Sequence, residues 1–203
     1  MHGVRIADEE PNDTMSRGLG MMKVHEEDLA TFEKARQLIS VRRDHLSMNL
    51  PSSEGYVVAF SSELLVLHRM SDRIDLDGYE VLRVVDISEV LAEFHQSGFL
   101  AVAARLKQLE PQKPRNVDAT NTERLLSSIQ ASYPVVALER ELIAPDECDI
   151  GRITVMSRGR FRMRLLTPRA EWADDDRWLS LDDVTRVTFD GEYERTLALV
   201  AGV

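Results

Sequence analysis

Apolar residues recur in this chain at two spacings, and the changes of spacing mark out its elements. From Glu26, "EEDLATFEKARQLI" sets Leu29, Phe32, Arg36 and Ile39 at helical spacing behind three acids, which predicts a helix with one narrow apolar stripe and a favourable charge at its positive end. The segments "HLSMNL", "GYVVAFSSELLVLHRM" and "YEVLRVVDISEV" are short and rich in Val, Leu and Ile, as strands are. Asp77-Gly78 predicts a two-residue hairpin turn, because a type I′ turn needs positive φ at both central positions. "LAEFHQSGFLAVAARLKQL" returns to helical spacing, with Leu100, Ala103, Leu106 and Leu109 on one face.

"EPQKPRNVDATN" carries two prolines and few apolar residues, and it reads as a linker. After it the same order of elements returns. Thr120 and Glu123 have the spacing of a capping box, and Leu125, Leu126, Ile129 and Tyr133 continue a helical face until Pro134. "VVALEREL", "CDIGRITVMSRGRFRMRLL" and "RWLSLDDVTRVTF" predict strands, and "GEYERTLALV" a closing helix. Gly55 matches Gly151, Ser61 matches Ser157, Leu67 matches Met163, and Asp86–Val90 matches Asp183–Val187. The expected organisation is a tail at 1–22, a first unit at 23–109, a linker at 110–119 and a second unit at 120–203. The fold class is mainly β with flanking helices (α+β).

A helix followed by about five short, bent strands, used twice, resembles the Sm/LSm-like small β-barrel family. Gly55 and Gly151 stand where the family's first motif has its strand glycine, and "VLRVVDI", Val81–Ile87, resembles the second motif, with Arg83 in its arginine position. Val84 replaces the motif's glycine, and "SSELLV" and "SRGRFR" lack the Asp and Asn of a uridine pocket. The resemblance therefore implies two tandem Sm-like barrels, each preceded by an α-helix, without that pocket. It also implies a homo-oligomer formed through barrel edge strands, each chain filling two positions of a ring. The PRC-barrel type is the alternative small barrel.

The chain has 203 residues, 43% hydrophobic and 30% charged, enough for one moderate core or two small ones. No run approaches the roughly 18 apolar residues of a membrane span. The first residues, "MHGVRIADEEPNDTMSRGLGMMK", place acids where a secretion signal has an apolar centre, and the single Cys148 cannot form an internal disulfide. These features predict a cytoplasmic protein without membrane attachment. A net charge of −10 makes bulk attraction to nucleic acid unfavourable, and Pro134–Val203 alone carries 10 Arg against 14 Asp and Glu.

One stretch runs against that balance. "SRGRFRMRLL", Ser157–Leu166, puts Arg158, Arg160, Arg162 and Arg164 on one face of a predicted strand and turns Phe161, Met163 and Leu165 to the other. With Arg83, these arginines are the candidate nucleic-acid contacts of an RNA-binding reading. The competing reading is a solvated strand face whose arginines pair with acids, each pair contributing roughly 0.2–1 kcal/mol. Asp75, Asp77 and Gly78 fall at calcium-loop positions, but Arg73 and Val84 occupy the loop ends where carboxylates are needed. Asp174–Asp176 reads as a solvated loop between Trp172 and Trp178, which are expected in the core or an interface. His2, His25, His45, His68 and His95 share no ligand spacing, and His68 is expected at the surface. The acids around Cys148 would raise its pKa. No catalytic residues, metal ligands or cofactor site emerge. The sequence points to a non-enzymatic interaction or assembly module, with an RNA-binding protein as the alternative.

Overall fold

Ten strands join edge to edge in one antiparallel sheet, and four helices lie against it among the described residues. The computed structural model describes residues 25–44, 46, 51–91 and 98–203. The first half holds α1 (Glu26–Ala35), β1 (Leu38–Arg42), β2 (Ser53–Phe60), β3 (Leu64–Met70), β4 (Leu76–Arg83), β5 (Glu89–Leu91) and α2 (Phe99–Leu106). The second holds α3 (Thr122–Ser132), β6 (Val136–Arg140), β7 (Ala144–Ser157), β8 (Arg160–Leu166), β9 (Trp172–Ser180), β10 (Arg186–Phe189) and α4 (Glu192–Val200). The sheet order is β5-β1-β2-β3-β4-β10-β6-β7-β8-β9. The sheet is open, and it runs through both halves instead of closing into two separate barrels.

Each half has the same internal order, and the irregularities recur with it. The β2/β3 register shifts between Val57 and Ala59, and β7/β8 shifts between Ile153 and Val155. The β3/β4 register shifts between His68 and Met70, and β8/β9 shifts between Arg164 and Leu166. A β-bulge bends its strand at a fixed place, so matched bulges mean matched bends. Gly55 and Gly151 sit at the same point of this bend. A Cβ on Gly55 would lie 2.6 Å from the His68 carbonyl oxygen, and one on Gly151 would collide with the Arg164 carbonyl.

The halves meet where β4 pairs with β10, in the register Leu82–Arg186, Val81–Val187, Glu80–Thr188 and Tyr79–Phe189. The core crosses this seam. Val58, Leu64, Val66, Tyr79 and Val81 of the first half share one cluster with Leu125, Leu126 and Ile129 of α3 and with Phe161, Met163 and Phe189. On the other face of the first half, Leu29 of α1 packs with Ile39, Val41, Val57, Leu65, Leu67 and Leu82. Covered on both faces, Leu64–Leu67 are all buried, and their sequence is continuously apolar rather than alternating.

Several local expectations are corrected. The first helix stops at Ala35, with Arg36 in the left-handed region, and Ile39 belongs to β1 rather than to the helical stripe. Residues 92–97 of the expected second helix lie outside the described residues; the helix Phe99–Leu106 buries Ala104, while Leu106 faces solvent. Asp77-Gly78 lies inside β4, not at its turn, and Gly78 has φ 66° beside the bulge. The cap of α3 is Asn121, whose side chain accepts the Arg124 N–H, while the Thr120 hydroxyl donates to Asp118. The start of the expected linker, 110–119, contacts the first half: Glu110 pairs with Arg36, Lys113 with Glu33, and the Gln112 N–H donates to His68 Nδ1, which leaves the expected division into two units untouched. The expected tail, His2, His45, His95 and most of "HLSMNL" lie outside the described residues.

Candidate functional site

The arginine stripe forms as the alternation demands, with one exception. Phe161 and Met163 are fully buried, and Arg160, Arg162 and Arg164 stand on the opposite face of β8. Arg158 instead occupies the turn before the strand, beside Gly159 with φ 73°. Arg83 is not part of this face. It hydrogen-bonds Asp86 and the Asp182 carbonyl, bracing the link between the halves.

Aromatic rings lie on the stripe, and sequence reasoning missed them. Asp174–Asp176 is strand, not loop, so β9 carries Trp172 and Trp178 alongside β8. The Arg160 guanidinium sits 4.6 Å from the centre of the Trp178 ring and that of Arg162 sits 5.5 Å from it, while Arg164 lies 5.9 Å from Trp172. Such cation–π contacts contribute roughly 0.5–1 kcal/mol at exposed sites. Arg162 Nε is 3.8 Å from Asp176, and it is buried without a hydrogen-bond partner among the described residues. Trp178 remains 45% exposed. A cue lay in the sequence: the hairpin register that pairs Phe161 with Leu179 necessarily brings Trp178 opposite Arg162.

At the seam the charges are buried and paired, with Arg186 Nε the one guanidinium nitrogen there that has no hydrogen-bond partner among the described residues. Arg43 makes a bidentate contact with Glu141 at 2.5 and 2.8 Å, both side chains being at most 3% exposed. Arg186 of β10 bridges Glu80 of β4 at 3.3 Å and hydrogen-bonds Glu139 of β6, and Ser53 donates to Glu80. Burial raises the Glu139 carboxyl despite the pull of Arg186. Burial also opposes ionisation of Glu141, but Arg43, Thr185 and Arg186 outweigh it and hold that carboxyl below the ordinary glutamate value. A cleft of about 590 Å³ opens beside this seam between Ser53, Arg69, Asp77, Glu80 and Arg186.

His68 is half-buried rather than a surface residue. It stacks on Tyr79 at 4.8 Å, and burial lowers its pKa. Cys148 reaches solvent, yet desolvation by the strands around its sulfur, and then Glu139, push the thiol up to about 11. Among the described residues no group of three His, Cys, Asp or Glu is placed to hold a metal, and no helix is long and apolar enough to cross a membrane. No family model, curated protein or solved structure matches the chain.

Proposed function

We propose that this chain is a non-enzymatic assembly module made of two tandem units of Sm-like type, and that it works by edge-to-edge strand pairing. One observation carries the reading. Two halves of like topology are already joined through unlike edges, β4 of the first against β10 of the second. Among the described residues, that junction leaves the outer edge of β5 unpaired at one end of the sheet and the outer edge of β9 at the other. Unpaired strand edges offer rows of backbone donors and acceptors, and heterologous contacts of this kind build rings when the rotation closes. Three chains would supply six units to such a ring, and a dimer is the smaller solution.

The test is the molar mass in solution by light scattering, read with the 260/280 nm absorbance ratio. A mass above the 23.0 kDa of one chain, with a protein-like ratio, is expected. A concentration-independent monomer would remove the assembly reading.

The stacking of Arg160 and Arg162 on Trp178 favours a second reading, single-stranded RNA binding, since such sites combine cations with aromatic rings. Fluorescence anisotropy with U-rich and A-rich oligonucleotides distinguishes it. Micromolar binding at physiological salt, abolished by Arg160→Ala with Arg162→Ala, would put RNA first.

A further inference from the structure

The two halves differ in what covers one equivalent face. Matching them through the shared bulges and strand pairs sets Leu64 against Arg160, Val66 against Arg162, Val81 against Trp178 and Glu80 against Arg177. The β1/β5 and β6/β10 pairs likewise set Arg42 against Glu139 and Glu89 against Arg186. In the first half the face with Leu64, Val66 and Val81 is buried under α3, whose Leu125 closes over Leu64 and Val81. In the second half the same face is the open arginine stripe.

The charges at these positions are inverted. At the internal seam the order across the strands is acid, base, acid: Glu80, Arg186, Glu139. The equivalent positions at the open edges read base, acid, base: Arg177 on β9, then Glu89 and Arg42 on β5 and β1. Arg42 and Glu89 already pair at 3.2 Å, and Arg177 rests 3.1 Å from Asp149, which occupies the position of Ser53. Arg177 and Glu89 keep side-chain exposures of 45% and 42%, whereas their seam counterparts Glu80 and Arg186 have 5% and 18%. Arg177 on β9 and Glu89 on β5 make the two open edges complementary in charge to each other.

The helix repeats the logic. Leu29 lies ten residues before Ile39, as Leu126 lies ten before Val136, so Asp28 of α1 takes the place of Leu125. By this matching, Asp28 and Arg160 hold the positions that Leu125 and Leu64 hold where α3 covers the first half. Glu26, Glu27 and Asp28 are all exposed at the start of α1, in the first turn, ready for a cationic surface.

We infer that the arginine stripe and the β9 edge are the docking surface for a second copy of this chain. The inference rests on the assembly reading and specifies its interface. The incoming β5 pairs antiparallel with β9, setting Leu179 opposite Glu89, Trp178 opposite Val90 and Arg177 opposite Leu91. Arg177 reaches Glu89 across the diagonal, as Glu80 reaches Arg186 at the seam. The acidic start of the incoming α1 covers Arg160, and Trp178, exposed in the single chain, is enclosed as Val81 is.

Two experiments on the full chain test this. In a Cys148→Ser background, Trp178→Cys with Val90→Cys places two thiols at directly opposed positions of the new strand pair, within disulfide reach. Oxidation should give a ladder of covalent multimers, while Asp174→Cys with Val90→Cys should give none. Asp28→Arg and Arg160→Asp each change an exposed side chain, and each should weaken self-association at least tenfold by sedimentation. The double variant should restore it. A monomeric wild type overturns both the assembly reading and this interface. An oligomer without the specific cross-link, or one indifferent to the charge changes, overturns the interface and leaves assembly standing. Release of a bound oligonucleotide on Arg160→Asp would give the face to RNA instead.

Discussion

Replacing Arg43 with methionine should be among the most damaging single changes in the chain. The guanidinium is 2% exposed and grips Glu141, itself 3% exposed, through two hydrogen bonds that tie the end of β1 to the end of β6. Removing one partner of a buried pair strands the other charge, at a cost of roughly 3–5 kcal/mol. Arg186 still reaches Glu141 at 3.3 Å, which places the expected loss near the low end, about 3 kcal/mol. In a domain of this size that lowers the melting temperature by roughly 6–12 °C. Arg43→Met with Glu141→Leu removes the stranded charge along with the pair, and should recover about 2 kcal/mol of the loss. Glu141 is held below its ordinary value by Arg43, so the pair stabilises above that value and the contribution fades as pH falls through the lowered one. The gap between wild type and Arg43→Met should therefore narrow in acid, as protonation neutralises the orphaned carboxyl. Urea unfolding followed by circular dichroism from pH 7 downward measures each quantity. A loss below about 1 kcal/mol for Arg43→Met at neutral pH, or a double variant no better than the single, would refute the reasoning.

Phe161→Ala should cost about 3–5 kcal/mol in urea unfolding, because the ring is fully buried, while Arg160→Ala with Arg162→Ala should cost about 1–2 kcal/mol through lost contacts with Trp178. Gly151→Ala should destabilise by about 1–3 kcal/mol, since the new Cβ meets the Arg164 backbone carbonyl and not a side chain that could swing away. Cys148 should alkylate slowly at pH 8 and accelerate only as pH approaches about 11, so rapid iodoacetamide labelling at neutral pH would contradict its surroundings.

The second half was largely legible in the sequence because one face of its strands is wet. Alternation in "RFRMRLL" points Phe161 and Met163 inward, and that is where they lie. The first half hid more. "LISVR" follows α1 with no proline or glycine between them, so its apolar residues extended the helical spacing and concealed β1. The seam was hidden because burial on both faces erases alternation in Leu64–Leu67, and nothing local to those residues names α3 as the second cover. The tryptophan–arginine stacking was missed for a different reason. Three consecutive aspartates read as a loop, yet β9 tolerates them as an edge strand with two sides facing water, and only the hairpin register places Trp178 beside Arg162.

Amide hydrogen exchange at two protein concentrations tests most directly whether the open edges are assembly surfaces. Glu89–Leu91 and Arg177–Leu179 should gain protection as concentration rises, in the wild type and not in Arg160→Asp. The β4/β10 seam, already paired within the chain, should stay protected throughout. Edge strands that exchange at the same fast rate at every concentration would contradict assembly through these edges.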